Sequence, residues 1–100
     1  MIVVAGKVAV RPERREEAIR AALAMAEATR KEAGCLTYQF SAALADPNTI
    51  LIFEEWESDE ALARHFQTEH MRVFRAGLAE LVAGAPSIKR YAIASVSAMT

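Results

Sequence analysis

Ile50 to Phe74 reads ILIFEEWESDEALARHFQTEHMRVF. Its first residues have the β-branched and aromatic content of a strand, and they are apolar on both sides of the chain. Ile50, Ile52, Glu54 and Trp56 point one way; Leu51, Phe53, Glu55 and Glu57 point the other. Ser58 is suited to cap a helix, with Asp59 and Glu60 at its favourable positive end. Leu62, His65 and Phe66 then share one helical face. Thr68 is suited to cap a second segment, where Met71, Phe74, Leu78 and Leu81 recur at helical spacing. The spacing therefore predicts a strand followed by a helix broken in two.

Upstream, Ile2–Val10 reads as a strand that Arg11-Pro12 ends. A helix follows to about Glu32, with Ile19, Ala22, Leu23 and Ala26 as its apolar stripe and Gly34 as its stop. Cys35–Leu44 alternates as a strand, with Leu36, Tyr38, Phe40 and Ala42 on one face. Ala45-Asp46-Pro47-Asn48 is turn chemistry, so Thr49–Glu57 returns antiparallel. Downstream, Gly84-Ala85-Pro86 closes the broken helix and Ser87–Ser97 reads as the last strand. The order β-α-β-β-α-β predicts one α+β domain over residues 1–100. It is the ferredoxin-like arrangement, a four-stranded antiparallel sheet with its helices on one face. Helices cover only that face. Ile50 and Ile52 make one strand face apolar, Leu51 and Phe53 the other, and Val3, Ala5 and Val4, Gly6 behave alike. Whichever face the helices leave would be an apolar patch, so a homodimer packed sheet against sheet is expected.

The bulk properties exclude several classes. A net charge of −1 offers no basic field for nucleic acid or an anionic membrane surface. No apolar run approaches the ~20 residues that span a bilayer. A single cysteine, Cys35, rules out an internal disulfide and lacks zinc-ligand spacing. With no visible targeting segment, a cytoplasmic location is expected.

His65 and His70, the only histidines, and Trp56, the only tryptophan, gather in the opening stretch. Residues five apart on an unbroken helix diverge by about 140°, so the two imidazoles can share a pocket only because of the break near Thr68. His70, in the first turn of the second segment, would then be kept neutral by the helix end, as a base must be. The competing reading makes both histidines packing or capping residues. No carboxylate–histidine motif accompanies the pair, so no metal site is expected. Trp56 reads either as a core or edge aromatic or as a pocket wall. Glu54, on the same strand face, needs a partner such as Arg90 or becomes a weak acid. Tyr38 is a candidate lining residue; Cys35 reads as a small buried residue, and Arg64, Arg72 and Arg75 as a solvated face.

KEAGCLTY at Lys31–Tyr38, FEEWES at Phe53–Ser58 and HFQTEHM at His65–Met71 resemble the antibiotic biosynthesis monooxygenase family, closest to its small bacterial quinol monooxygenases. The resemblance implies a dimeric α+β barrel and a pocket between sheet and helices. It also implies oxygenation of a phenolic ring by molecular oxygen with no metal, flavin or haem. In that setting Trp56, Tyr38 and Phe74 would sandwich a small aromatic substrate near Glu54, and His65 or His70 would take its proton. Haem-degrading relatives carry asparagine, tryptophan and histidine where this chain has Lys7, His65 and Arg75, which argues against that activity. A branch that isomerises a phosphorylated signalling ketone related to autoinducer-2 is the alternative, and a non-catalytic dimeric binding module is another.

Overall fold

The computed structural model describes residues 1–100. Strand β1 (Ile2–Ala9) leads through a 3₁₀ turn at Pro12–Arg14 into α1 (Arg15–Thr29). Strands β2 (Cys35–Ala42) and β3 (Thr49–Trp56) follow, then α2 (Asp59–His65), α3 (Glu69–Leu81) and β4 (Ser87–Ala92). The sheet order is β2-β3-β1-β4 with every neighbouring pair antiparallel. This is the ferredoxin-like arrangement expected from the element order, including the split second helix. No helix is long and apolar enough to cross a membrane.

Several boundaries move for physical reasons. β4 stops at Ala92, not Ser97: Ala92 pairs with Ile2, the first residue of β1, and a single further bond, from the Ile93 N–H to the Met1 carbonyl, ends the pairing. β2 stops at Ala42, ahead of the turn in which the Asp46 carboxylate accepts from the Asn48 N–H and the Thr49 hydroxyl. A bulge between Cys35 and Thr37 leaves Leu36 without a partner on β3. Leu36 consequently points to solvent, while Cys35 packs with Tyr38 against the core, reversing the simple alternation read from the sequence. The inner stripe of α1 is Ala18, Met25, Ala26 and Thr29, and Leu23 is exposed. An alanine-rich helix carries small residues on several faces, so spacing alone did not single out the one that lies closest to the sheet.

The inner face of the sheet supports two apolar clusters. Ile2, Tyr38 and Trp56 pack with Met25, Ala26, Ala61 and Leu62 at one end. Val8, Val10 and Ile50 pack with Ala18 and Leu81 at the other. Fifteen residues of the chain are buried, and none of them lies on the outer face of the sheet. There Leu51, Phe53 and Tyr91 are exposed.

Gly34 ends the turn after α1 with φ +86°, a conformation that costs other L-residues roughly 1–2 kcal/mol. A Cβ at this position would also lie 2.5 Å from the Ala61 Cβ. Gly34→Ala is therefore expected to destabilise the chain by roughly 2–5 kcal/mol, adding the backbone cost to that of overpacking. A thermal melt within a degree or two of the parent would contradict this.

Candidate active site

Between the two apolar clusters lies a cavity of about 240 Å³ roofed by α2 and α3. Val4, Val8, Phe40, Ile50 and Ile52 form its floor, and Met71, Phe74 and Leu78 come down from α3. Tyr38, Glu54, His65 and Arg75 are the lining residues that carry polar groups.

His65 reaches this wall because α2 ends there. The Ser58 Oγ caps α2 by accepting from the Ala61 N–H at 3.2 Å. The Thr68 Oγ accepts from the Met71 N–H at 3.3 Å and so starts α3. The same hydroxyl donates to the His65 carbonyl at 2.7 Å. The imidazole of His65 is buried, 4.9 Å from the Trp56 ring and 5.6 Å from the Tyr38 ring. His70 lies in the first turn of α3, outside the cavity lining.

The residue that joins the histidines is Glu32. Its Oε2 lies 2.7 Å from the His65 Nδ1 and 2.7 Å from the His70 Nε2. A carboxylate only accepts hydrogen bonds, so each of those nitrogens carries its hydrogen. In neutral His65 the lone pair is then on Nε2, at the ring edge turned away from Glu32. Sequence reasoning missed Glu32, although a signal existed. It falls just past the C-terminal end of α1, where the negative helix end disfavours a carboxylate. A residue that breaks a local rule is a candidate for a tertiary role. Backbone bonds from Glu32 N–H to the Thr29 carbonyl and from Cys35 N–H to the Glu32 carbonyl hold the turn that presents it.

The other expected residues divide. Tyr38 and Phe74 line the cavity, but Trp56 does not; it is fully buried behind it. Its Nε1–H donates to the Glu54 Oε1 at 2.9 Å, so Trp56 orients Glu54 where a pocket wall was expected. Phe40 supplies the aromatic wall instead, stacked on Phe74 at 6.2 Å between centroids. Arg90 does not partner Glu54 but pairs with Asp59. Arg64 and Arg72 are on the solvated face, whereas Arg75 donates to the Phe66 carbonyl at 2.8 Å at the cavity rim.

The environment sets the protonation of these groups. Burial pushes the Glu54 carboxyl up to about 7, the Trp56 N–H draws it partly back, and the charge of Glu32 raises it. Burial, reinforced by the charge of Glu54, holds the Tyr38 phenol far above its usual range, so it stays a neutral donor. Burial likewise raises the Cys35 thiol, with Glu32 and Glu54 adding to the effect, and keeps it from acting as a thiolate. The wall thus combines an imidazole with a free nitrogen and a carboxyl that is half protonated near neutral pH.

The family profile described as antibiotic biosynthesis monooxygenase matches residues 1–77. The chain belongs to this family. It is 37% identical over 98 residues to the uncharacterised protein sll1783 of Synechocystis, covering 98% of this chain and 67% of that protein. It is 30% identical over 90 residues to YcnE of Bacillus subtilis, covering 90% of this chain and 95% of that protein, which is named provisionally as a monooxygenase. Among solved structures, a Deinococcus radiodurans protein given the same provisional family description superposes with TM-score 0.92. The two are 26% identical, with 100% of this chain and 99% of that one covered. Rv0793 of Mycobacterium tuberculosis superposes with TM-score 0.90 at 25% identity, covering 97% and 98%. The ABM match includes Glu32, Glu54, His65 and His70 and ends within α3.

In this ABM chain Glu54 makes stability depend on pH in a defined direction. Its carboxyl titrates near 4.5 when solvated and about 7 when folded. Between those values the folded chain holds a proton that the unfolded chain has released, so stability falls as pH rises through the window. Glu54→Gln keeps an acceptor for Trp56 and removes the buried charge. The variant is expected to be more stable than the parent by roughly 1–3 kcal/mol at pH 8, with that advantage disappearing below about pH 4.5. Urea midpoints measured across pH read the effect, and a difference independent of pH would refute it.

Proposed function

We propose that the chain is a cofactor-independent monooxygenase that oxidises a quinol or other electron-rich phenol with molecular oxygen. The observation that carries this reading is His65, a lining residue of an apolar cavity whose Nδ1 is held by Glu32, which leaves Nε2 as the basic nitrogen of the ring. Removal of a phenolic proton by His65 makes an anion able to give an electron to oxygen. Collapse of the resulting radical pair forms a carbon–oxygen bond at the ring. Glu54, in its protonated form, supplies a proton to the peroxide, and loss of water leaves a carbonyl on that carbon. For a hydroquinone the products are a hydroxyquinone and one water. Tyr38, Phe40 and Phe74 orient the ring.

The cavity size narrows the substrate. A cavity of about 150 Å³ lined by apolar side chains accepts benzene. The 240 Å³ here suits one substituted ring, or a compact pair, better than an extended polycycle. A phosphorylated ketone would find only Arg75 as a cation on that lining, which disfavours the isomerase reading.

Oxygen uptake over a panel of substituted hydroquinones tests the activity. His65→Ala is expected to lower kcat/KM by about 10²–10⁴, the usual contribution of one positioned base. Uptake by the parent at the spontaneous rate across the panel would favour a binding module instead.

We also infer that a second copy of the chain covers the outer sheet face, where Leu51, Phe53 and Tyr91 would otherwise meet water. Sedimentation is expected to give twice the 11.0 kDa chain mass, and Phe53→Asp to shift the protein toward monomer. A monomeric parent at high micromolar concentration would exclude this assembly.

A further inference from the structure

The sequence offered no reason to expect a metal site, because no carboxylate–histidine ligand motif accompanies the two histidines. The fold supplies that carboxylate from the turn after α1. The Glu32 Oε2, His65 Nδ1 and His70 Nε2 all lie within 4.8 Å of one another. They come from three separate segments: the turn after α1, the end of α2 and the start of α3. Two imidazole nitrogens and one carboxylate oxygen are a donor set for first-row divalent ions, and three protein ligands leave a position for water.

We propose that Glu32, His65 and His70 bind a divalent ion of the Zn²⁺ class, which competes with the hydrogens on His65 Nδ1 and His70 Nε2. Neighbouring ligands of a tetrahedral ion with bonds of about 2.0–2.1 Å stand roughly 3.3 Å apart. The 2.7 Å hydrogen bonds must therefore each open by a little over half an ångström. His70 can make that movement, because its side chain is 28% exposed and it opens α3. The Glu32 side chain, 13% exposed, can adjust with it. His65 is fixed by the aromatic rings around it and provides the rigid ligand.

The ion would sit behind His65. Glu32 and His70 are not part of the cavity lining, so the ion is separated from a bound substrate by the imidazole. Its effect on the cavity passes through the tautomer. Ligation at Nδ1 moves the ring hydrogen to Nε2, with no net loss of a proton from neutral His65. The nitrogen that is a free base without the ion becomes a hydrogen-bond donor with it. Inhibition of oxygenation by the ion rests on the reaction proposed above, whereas the binding itself does not.

The test uses the tag-free 100-residue chain with Zn²⁺ titrated calorimetrically and Co²⁺ followed by its visible absorption. One ion per chain is expected, with Glu32→Ala and His70→Ala each weakening binding about tenfold or more. The 15N spectrum of His65 should show an Nδ1–H tautomer without Zn²⁺ and an Nε2–H tautomer with it. Far-UV circular dichroism of each variant establishes that it is folded; His70, partly exposed, provides the variant least able to disturb the core. No saturable binding by the parent, or binding that survives both folded variants, overturns the proposal. Binding with the tautomer change but no oxygen uptake supports the metal site and removes the oxygenase reading. Oxygen uptake without ion binding does the reverse.

Discussion

One carboxylate oxygen, the Glu32 Oε2, ties three segments of the chain together. It bonds the end of α2 and the start of α3 to the turn that follows α1. That contact gives the imidazole of His65 a defined tautomer, which a buried histidine surrounded only by aromatic rings would lack. It also brings His70, a residue outside the cavity, into electrostatic contact with one inside it. Charge-assisted hydrogen bonds of this length are stronger than neutral ones, and partial burial limits the competition from water. The site therefore depends on the placement of a turn as much as on either histidine.

The fold was legible because its signals are local and repeated. Ser58 and Thr68 cap the helices that their positions suggested, and the chain reverses between β2 and β3 as the Asp-Pro-Asn turn required. The site was less legible. His65, Glu54, Tyr38 and Phe74 could be picked out by residue type, and the structure brings them to one cavity. Trp56 could not be assigned to core or wall from the sequence, since its strand face contains both. Glu32 lies 33 positions from His65, and no local spacing connects them. The bulge at Leu36 was equally hidden, because an apolar residue at that place fits simple alternation as well as it fits a bulge.

The two carboxylates show how position sets chemistry. Glu32 faces two imidazole N–H donors. Glu54 faces apolar side chains and one indole N–H, so its neutral form persists to near neutral pH. A carboxylate behind the His65 imidazole and a carboxylic acid lining the same cavity are different tools made from one residue type. The cost is a buried group whose ionisation opposes folding, a conflict between stability and chemistry that an apolar residue at position 54 would not create.

The Thr68 hydroxyl is a single rivet between the two helices that roof the cavity. It accepts from the Met71 N–H and donates to the His65 carbonyl. The N-terminal end of α3 therefore cannot fray without loosening the backbone of His65. The far end of α3 is pinned as well: the Leu81 carbonyl accepts from the Arg11 N–H and the Ala83 N–H donates to the Ala9 carbonyl, each at 2.8 Å, so the helix over the cavity is tied down at both ends.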